Sequence, residues 1–261
     1  MRLLNQVCEI ISNRELALNM YEIVLSGPRI AESAKPGQFV HLNIPGNSAR
    51  LLRRPISIHL ADPSKGLVHL VYQVVGDGTA RLSRLSPGET IDCLGPLGNG
   101  FSLNGAERVF LVGGGCGIAP LRFVPAYWPD RKYFSFLGFK NSRAAYKTDE
   151  FAGFSFSLSL SSDDGSIGSK GLVTDALRIR LEDTIPDIIL ACGPKPMLKA
   201  VYSLAAQHGV PCQISLEERM GCGIGGCLVC ACAVKSGPGL DYKRVCADGP
   251  VFDSREVVFD D

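Results

Sequence analysis

Residues 108–120 read Arg-Val-Phe-Leu-Val-Gly-Gly-Gly-Cys-Gly-Ile-Ala-Pro, and this stretch indicates the architecture of the second half of the chain. The apolar run 108–112 predicts a buried strand, and the residues after the glycines are compatible with a helix. Glycines at such a turn allow a pyrophosphate to approach the start of the helix closely. A strict G-x-G-x-x-G is absent, because Ile118 or Pro120 takes the third glycine position. We therefore expect a dinucleotide, with ordinary strand–helix packing as the alternative, at Gly113, Gly114, Gly115 and Gly117.

The alternation of apolar run, turn and helix-like segment continues towards the C-terminus. A second turn, Cys192-Gly193-Pro194-Lys195, makes Cys192 and Gly193 further nucleotide candidates. The other apolar runs are 133–139, 154–160, 185–191 and 212–216, and the helix-like segments are 174–181 and 196–208. This alternation predicts a doubly wound α/β domain over residues 103–216. Asp163 and Asp164 would suit a free ribose 2′-hydroxyl, which favours NAD over NADP.

The first 102 residues show a different pattern, in which short apolar segments are separated by turn residues. The candidate strands are 21–25, 39–44, 56–60, 67–75 and 89–94. Several short strands at this spacing predict an antiparallel sandwich or barrel over residues 1–102. The predicted fold class is therefore mixed: an antiparallel β-barrel, then the doubly wound α/β domain, then a small C-terminal subdomain over residues 217–261.

Cysteine is concentrated in that last subdomain, since six of the ten cysteines fall in the final 50 residues. Cys222, Cys227 and Cys230 form the C-x4-C-x2-C spacing of plant-type [2Fe–2S] proteins, and Cys246 supplies a fourth thiol. The glycines around them permit the tight turns that aim backbone N–H groups at sulfur. A structural zinc site usually shows two separate C-x2-C pairs, and only Cys227 with Cys230 forms one here. An iron–sulfur cluster is the favoured interpretation; zinc and small buried cysteines are the alternatives.

Composition and charge give no support for a nucleic-acid-binding, membrane-bound or secreted protein. The chain has 261 residues, 46% hydrophobic, and 27 basic against 26 acidic side chains give a net charge of +1. Such a balance gives no electrostatic reason to bind nucleic acid or an anionic membrane. The N-terminus lacks an apolar stretch long enough for a signal peptide, and no run reaches the ~18–20 residues that span a bilayer. We expect a cytoplasmic protein with reduced thiols.

Three motifs, in order along the chain, resemble those of the ferredoxin–NADP reductase superfamily. They are Arg54-Pro55-Ile56-Ser57, Gly76-Asp77-Gly78-Thr79 and the glycine turn at 113–120. With the segments 220–227 and 245–252 added, the chain resembles the electron-transfer subunits of type B dihydroorotate dehydrogenases. The resemblance covers nearly the whole chain, and the cysteine-rich segment after the nucleotide domain is its most discriminating part.

The resemblance implies that FAD binds the barrel. Arg54 would bind a flavin phosphate, Ser57 would face the N5 edge of the flavin, and Pro55 and Ile56 would shape the loop between them. The residues of a neighbouring strand that would line the flavin are Val71, Tyr72 and Gln73. The diphosphate would be held by the backbone N–H groups and the hydroxyl of Gly78 and Thr79. Ile56 departs from the aromatic residue common in the superfamily, so Tyr72 becomes the candidate for stacking on the flavin.

The resemblance also implies a partner and a route for electrons. A catalytic subunit that carries FMN would oxidise dihydroorotate, and electrons would pass through the [2Fe–2S] cluster and FAD to NAD in pyrimidine (UMP) biosynthesis. A flavin belongs between nicotinamide and cluster because it exchanges electrons in pairs and singly. The expected assembly is a heterotetramer with two copies of each subunit. The alternatives are an NAD(P)H reductase subunit serving ferredoxin, sulfide or hydrogenase partners, a zinc-binding interaction module, and a regulatory flavin sensor.

Overall fold

In a computed structural model, which describes residues 4–45, 52–237 and 239–259, the N-terminal part of the chain forms a closed barrel. The six strands are β1 (Asn5–Ala17), β2 (Met20–Ser26), β3 (Phe39–Asn43), β4 (Arg54–Asp62), β5 (Leu67–Gln73) and β6 (Thr90–Leu97). They are antiparallel neighbours in the order β1-β2-β5-β4-β3-β6. Two short helices, α1 (Pro28–Ser33) and α2 (Asp77–Leu82), connect them. Closure leaves the barrel with no free edge strand, and the predicted antiparallel barrel is confirmed.

Strand β1 is the one barrel strand that the sequence pattern did not indicate. Its polar residues, among them Glu9 and Glu15, are exposed, whereas Cys8 and Ile10 are fully buried. Only a few apolar side chains of this strand enter the barrel, so its alternation is weak in hydrophobicity. The strand nevertheless closes the barrel, because it pairs with β2 on one side and with β6 on the other.

The second sheet is a doubly wound α/β sheet. Its strands are β7 (Arg108–Gly114), β8 (Lys132–Phe139), β9 (Ser155–Ser162), β10 (Ser169–Lys170), β11 (Ile188–Cys192) and β12 (Cys212–Ser215). Its helices are α3 (Ile118–Leu121), α4 (Phe123–Tyr127), α5 (Thr148–Phe154), α6 (Val173–Asp183) and α7 (Lys195–Gln207). These six strands are parallel in the order β10-β9-β8-β7-β11-β12, so the direction of winding reverses between β7 and β11.

The cysteine-rich segment leaves this sheet and returns to it. After β12 the chain forms an irregular loop and a hairpin of β13 (Ala231–Ser236) and β14 (Gly239–Arg244). It then adds β15 (Val251–Asp253) antiparallel to β12 at the edge of the sheet. Cys230 and Cys246 pack in the same apolar cluster as Leu198 and Val201 of α7. The segment is therefore an insertion whose two ends lie side by side.

The barrel and the α/β sheet share an interface with an apolar part and an ionic part. Met20 and Val71 of the barrel pack in one cluster with Ile118 of α3. Beside them, the Lys147 ammonium lies 2.8 Å from the buried carboxylate of Glu22 on β2. Within the described residues, no helix is both long and apolar enough to cross a membrane.

Candidate functional site

The strands β4 and β5 of the barrel separate towards one end. The β4–β5 ladder extends from Asp62–Leu67 to Ile58–Leu70, and no further pair between these strands is present in the described part of the chain. Beyond that point Arg54–Ser57 pair with β3, whereas Val71–Gln73 pair with β2. The two predicted flavin segments thus face each other across the gap. We call residues 54–57, 71–73 and 77–79 the barrel groove.

Arg54 and Gly78, predicted from separate motifs, are in direct contact at one end of this groove. The Arg54 guanidinium covers the Gly78 Cα so closely that a Cβ there would lie 2.9 Å from its Cζ atom. Arg54 Nη1 also donates to the carbonyl oxygen of Leu52 over 2.7 Å. A cation beside the first turn of a helix is a suitable environment for phosphate oxygens.

The hydroxyl of Thr79 has a structural role in this arrangement. Its Oγ1 accepts the backbone N–H of Val75 over 3.0 Å and that of Gly76 over 3.3 Å, and it donates to the Gly76 carbonyl. These bonds cap the start of α2 and leave the side chain buried. A phosphate at this position would therefore meet the backbone of the turn, while the hydroxyl holds the turn in shape.

Tyr72 does not present its ring to the groove. The residue is 1% exposed, its hydroxyl donates to Asn13 Oδ1 over 3.0 Å, and its ring stacks on Tyr21 at 5.8 Å. Burial raises the pKa of this phenol well above its usual value. The expectation that Tyr72 stacks on a flavin is not met in this structure, because the ring belongs to the barrel core.

The two glycine turns of the α/β sheet lie together at the point where its winding reverses. Gly113 at the end of β7 is the register partner of Cys192 at the end of β11. Gly117 packs against the Cys192 carbonyl, and a Cβ on it would lie 2.6 Å from the Cα of Gly193. Ligands of open α/β sheets bind at this kind of crevice, outside the carboxyl ends of the strands. We call residues 113–117 and 192–193 the nucleotide edge.

Two further glycines of this edge approach α7. A Cβ on Gly114 would lie 2.7 Å from Met197 Sδ, and one on Gly193 would lie 2.6 Å from Met197 Cε. Gly115 has a φ of +54°, in the left-handed region, and nothing lies within 4 Å of the position its Cβ would take. The backbone of this turn is thus tightly packed on one side and open on the other.

Tyr146 supports the nucleotide edge, although no sequence signal marked it. Its buried hydroxyl lies 3.2 Å from the carbonyl of Gly115 and 3.3 Å from that of Cys116, and it donates to these acceptors. Burial raises the pKa of both nearby thiols, Cys116 and Cys192, to about 12. These two cysteines are therefore neutral thiols that shape the edge, not reactive thiolates.

The acidic turn after β9 lies at the same edge of the sheet, because β7, β8 and β9 are parallel. Asp164 accepts the backbone N–H of Ser166 over 2.9 Å and its hydroxyl over 2.6 Å, and these bonds lower the pKa of the carboxyl. Asp163 is exposed. The turn presents negative charge near the strand ends.

Backbone N–H groups surround the sulfur atoms of residues 221–230, which we call the cluster loop, and of Cys246. Cys222 Sγ accepts from Ile224 N–H over 3.5 Å and from Gly226 N–H over 3.3 Å. The other N–H···S contacts are Cys222 to Cys227 at 3.3 Å, Gly225 to Cys246 at 3.2 Å and Cys246 to Cys230 at 3.4 Å. Such donors stabilise thiolates that carry metal.

Backbone N–H···S contacts join the four cysteines two by two: Cys222 N–H donates to Cys227 Sγ, and Cys246 N–H donates to Cys230 Sγ. Burial would raise the pKa of the Cys222 thiol. Hydrogen bonds from Ile224 and Cys227 outweigh the effect of burial and lower this pKa to about 6. Across the described ranges, no three His, Cys, Asp or Glu side chains meet around a single point. Two pairs match a binuclear cluster, in which each iron takes two thiolates, better than one tetrahedral zinc.

A charged pair and a buried histidine hold the cluster loop, and sequence reasoning identified neither. Arg244 forms 2.8 Å and 2.9 Å bonds to the Asp248 carboxylate and donates to the Gly225 carbonyl over 3.2 Å. His41 on β3 is 0% exposed, and the Cα of Gly223 lies against its ring. The contact of Arg244 with Gly225 and that of His41 with Gly223 join residues that are distant in sequence, so no local pattern could indicate them.

Comparison with known proteins places these features in a family. A family model described as the iron–sulfur cluster binding domain of dihydroorotate dehydrogenase B matches residues 217–258. The chain is 44% identical, over 95% of its length and 96% of the relative's, to a protein of Bacillus caldolyticus named dihydroorotate dehydrogenase B (NAD(+)), electron transfer subunit.

Solved structures of other reductases are similar to this chain. An NADH-dependent reduced ferredoxin-NADP oxidoreductase superposes with a TM-score of 0.86 at 34% identity, over 97% of this chain and 90% of that one. Phthalate dioxygenase reductase superposes with a TM-score of 0.65 at 16% identity, over 89% of this chain and 87% of that one, and shows the shared fold.

Proposed function

Because the chain belongs to the family of dihydroorotate dehydrogenase B electron-transfer subunits, we propose that it carries electrons between a dihydroorotate-oxidising partner and NAD in pyrimidine biosynthesis. The observation that carries this proposal is the paired arrangement of four cysteines, with backbone N–H groups on their sulfur atoms, on the same chain as the nucleotide edge. The cofactors are FAD, a [2Fe–2S] cluster and NAD. A flavin exchanges hydride with a nicotinamide and single electrons with a cluster, so it lies between them in the sequence of transfers.

Residues of this chain bind and orient each group. Arg54 and the backbone at Gly78 would neutralise and hold the phosphates of FAD, while the open strands β4 and β5 accommodate its ring system. The glycines of the nucleotide edge would admit the pyrophosphate of NAD, and the charge at Asp163 disfavours a 2′-phosphate. The ligands of the cluster would be Cys222, Cys227, Cys230 and Cys246. Catalytic acid–base residues for dihydroorotate are expected on the partner and not here.

The surface of the cluster loop supports a docking site for that partner. Ile224, Leu228 and Val229 are exposed apolar residues within the cluster loop itself, and Leu228 is 64% exposed. An apolar patch that surrounds a redox centre is suited to a subunit that must bring its own cofactor close. We propose that an FMN-containing catalytic subunit binds here, in a cytoplasmic heterotetramer with two copies of each chain.

A second candidate is an NADH-dependent reductase subunit that serves a ferredoxin-type acceptor. The 34% identity to the NADH-dependent reduced ferredoxin-NADP oxidoreductase favours keeping it. The partner distinguishes the two functions. Copurification of the tagged chain with an FMN-containing barrel subunit that is active on dihydroorotate would support the first function, and recovery with a ferredoxin-linked partner would support the second.

Removal of one cluster ligand tests the electron route. We expect Cys227→Ser to abolish the [2Fe–2S] absorbance and the electron transfer from dihydroorotate to NAD, yet to keep NADH oxidation with an artificial acceptor that takes electrons from the flavin. The measurements are anaerobic optical and EPR spectra, iron content and both activities.

The matched control is Cys232→Ser, since Cys232 lies on β13 next to the cluster loop and is not among the four paired thiols. This variant should keep the cluster and both activities. Full coupled activity in Cys227→Ser, or loss of the cluster in Cys232→Ser alone, would show that the ligand assignment is wrong.

A further inference from the structure

His41 is a fully buried side chain whose two ring nitrogens have no hydrogen-bond partner among the described residues. Buried polar atoms in native proteins are nearly always paired, so each exception needs an explanation. Val40 and Leu42, its neighbours on β3, belong to the core of the barrel. His41 is directed to the opposite face of the strand, which the cluster loop covers.

The position of His41 places it between the barrel groove and the cluster loop. On β3 it is the register partner of Pro55, a residue of the groove, and its carbonyl accepts Arg53 Nη1 over 3.3 Å. Above it, a Cβ on Gly223 would lie 3.0 Å from His41 Cε1 and still closer to Nδ1. The main chain of His41 is thus held in the barrel, while the imidazole touches the cluster loop directly after Cys222.

The turn at Gly223, which contacts the His41 ring, directs backbone N–H groups towards Cys222 Sγ. Gly223 has a φ of +73°, a conformation that favours glycine, and this turn directs Ile224 N–H and Gly226 N–H to Cys222 Sγ. A neutral imidazole has one N–H to donate.

We propose that His41 is a positioning residue for the cluster: when the cluster is bound, the unpaired ring N–H donates to the Cys222–Gly223 turn and thereby holds backbone donors on Cys222, which raises the reduction potential of the cluster. The inference rests on the proposed function, because it assumes a [2Fe–2S] cluster on the four cysteines. Hydrogen bonds to the sulfur atoms favour the reduced state, which carries one more negative charge. A bond that keeps these donors in place therefore makes the cluster a better electron acceptor.

The test compares two substitutions of nearly equal size in the full-length, cluster-loaded chain. His41→Asn keeps an N–H donor near the position of Nδ1, and His41→Leu removes it. EPR-monitored redox titration gives the midpoint potential of the cluster, and the flavin potential in the same sample is the internal control. We expect His41→Leu to lower the cluster potential by about 59 mV, which is a tenfold change in the one-electron equilibrium. His41→Asn should stay close to the wild type.

Each outcome decides the proposal. If His41→Leu loses the cluster while His41→Asn keeps it at the wild-type potential, a role for the donor is supported. An unchanged potential in His41→Leu, or equal changes in the two variants, would show that the imidazole only fills space. Absence of a [2Fe–2S] signal from the wild-type protein would instead contradict the proposed function itself, so the two failures are distinguishable.

Discussion

Single glycines determine how closely the two turns of the nucleotide edge approach each other. Gly117 has no room for a side chain, because the Cys192 carbonyl and the Gly193 Cα occupy the position of a Cβ. Both neighbours are backbone atoms at the end of β11 and cannot rotate away as a flexible side chain would. A side chain at Gly117 must therefore push the turns apart.

We expect Gly117→Ala to raise the KM for NADH about tenfold, a loss of ~1.4 kcal/mol of binding, because the displaced turns no longer let the pyrophosphate approach closely. Flavin and cluster content should not change, because the barrel groove and the cluster loop are built from other residues. Steady-state kinetics and optical spectra check both statements. Gly153→Ala on α5, where nothing lies within 4 Å of the added Cβ, is the control and should behave as the wild type. Equal KM values in the two variants would refute the role of Gly117.

Residue types with their own local geometry were the ones that could be predicted from sequence. Spacing predicts Cys222 and Cys227 as cluster ligands and the glycine turns predict Gly117 at a nucleotide site, because a metal loop and a tight turn impose short-range patterns; both stay predictions. Tyr146 and His41 could not be found this way, since each acts on a segment at least 30 residues away. Their function depends on which surfaces the fold brings together.

At the scale of elements, α2 shows how a short helix depends on one side chain. Thr79 Oγ1 satisfies the backbone N–H groups of Val75 and Gly76 just before the helix begins. From the motif Gly76-Asp77-Gly78-Thr79 we predict a turn that holds the flavin diphosphate through backbone N–H and hydroxyl, and diphosphate binding stays a prediction. The motif did not reveal that the hydroxyl is already used by the protein. The sequence shows that a hydroxyl is present at residue 79. Whether this hydroxyl bonds to the protein backbone or is left to bind a phosphate can be seen only in the folded structure.

Thr79→Val, which keeps the size and branching of the side chain, should lower the free energy of unfolding by about 1–3 kcal/mol, because two N–H groups lose their acceptor. It should also weaken retention of FAD, since the backbone of the turn is no longer fixed. Thr79→Ser keeps the hydroxyl and is the control. Chemical denaturation and the flavin content after gel filtration measure the two effects. Full FAD retention in Thr79→Val would contradict a link between the cap and the groove.

At the scale of the whole molecule, a buried ionic cluster joins the barrel to the α/β sheet. Glu22 of β2, 3% exposed at its side chain, accepts bonds from Arg14 at 2.8 Å and Lys147 at 2.8 Å, and His69 lies at 3.4 Å. Burial would raise the pKa of Glu22, but bonds from His69, Lys147 and Arg14 lower it far below 4.5. This cluster links the barrel to the α/β sheet. Glu22 and Lys147 lie far apart along the chain, so no local sequence motif could indicate that they meet.

The sign of the pH effect follows from that lowered pKa. The unfolded chain protonates Glu22 near its ordinary value of 4.5, whereas the folded chain resists protonation, so folding is favoured above pH 4.5 and loses this contribution as pH falls below it. Glu22→Gln should therefore make the free energy of unfolding less dependent on pH below 4.5 and cost about 1–3 kcal/mol at neutral pH. Denaturant unfolding at a series of pH values measures both, with Glu32→Gln on exposed α1 as the control. Parallel pH profiles of wild type and Glu22→Gln would contradict the assignment.

The return of the chain at β15 has a consequence for distances between electron carriers. Because β15 pairs with β12, the cysteine-rich insertion is fastened at both ends to the same sheet edge, and Asn99 at the end of the barrel donates to the Ala247 and Asp248 carbonyls. A tethered module on a flexible linker must diffuse to its redox partner before each transfer. In this molecule the backbone hydrogen bonds between β15 and β12 hold the cysteine-rich insertion in place. The distances between the proposed electron carriers of the chain are therefore fixed by folding, and no diffusion of the insertion is needed before each transfer.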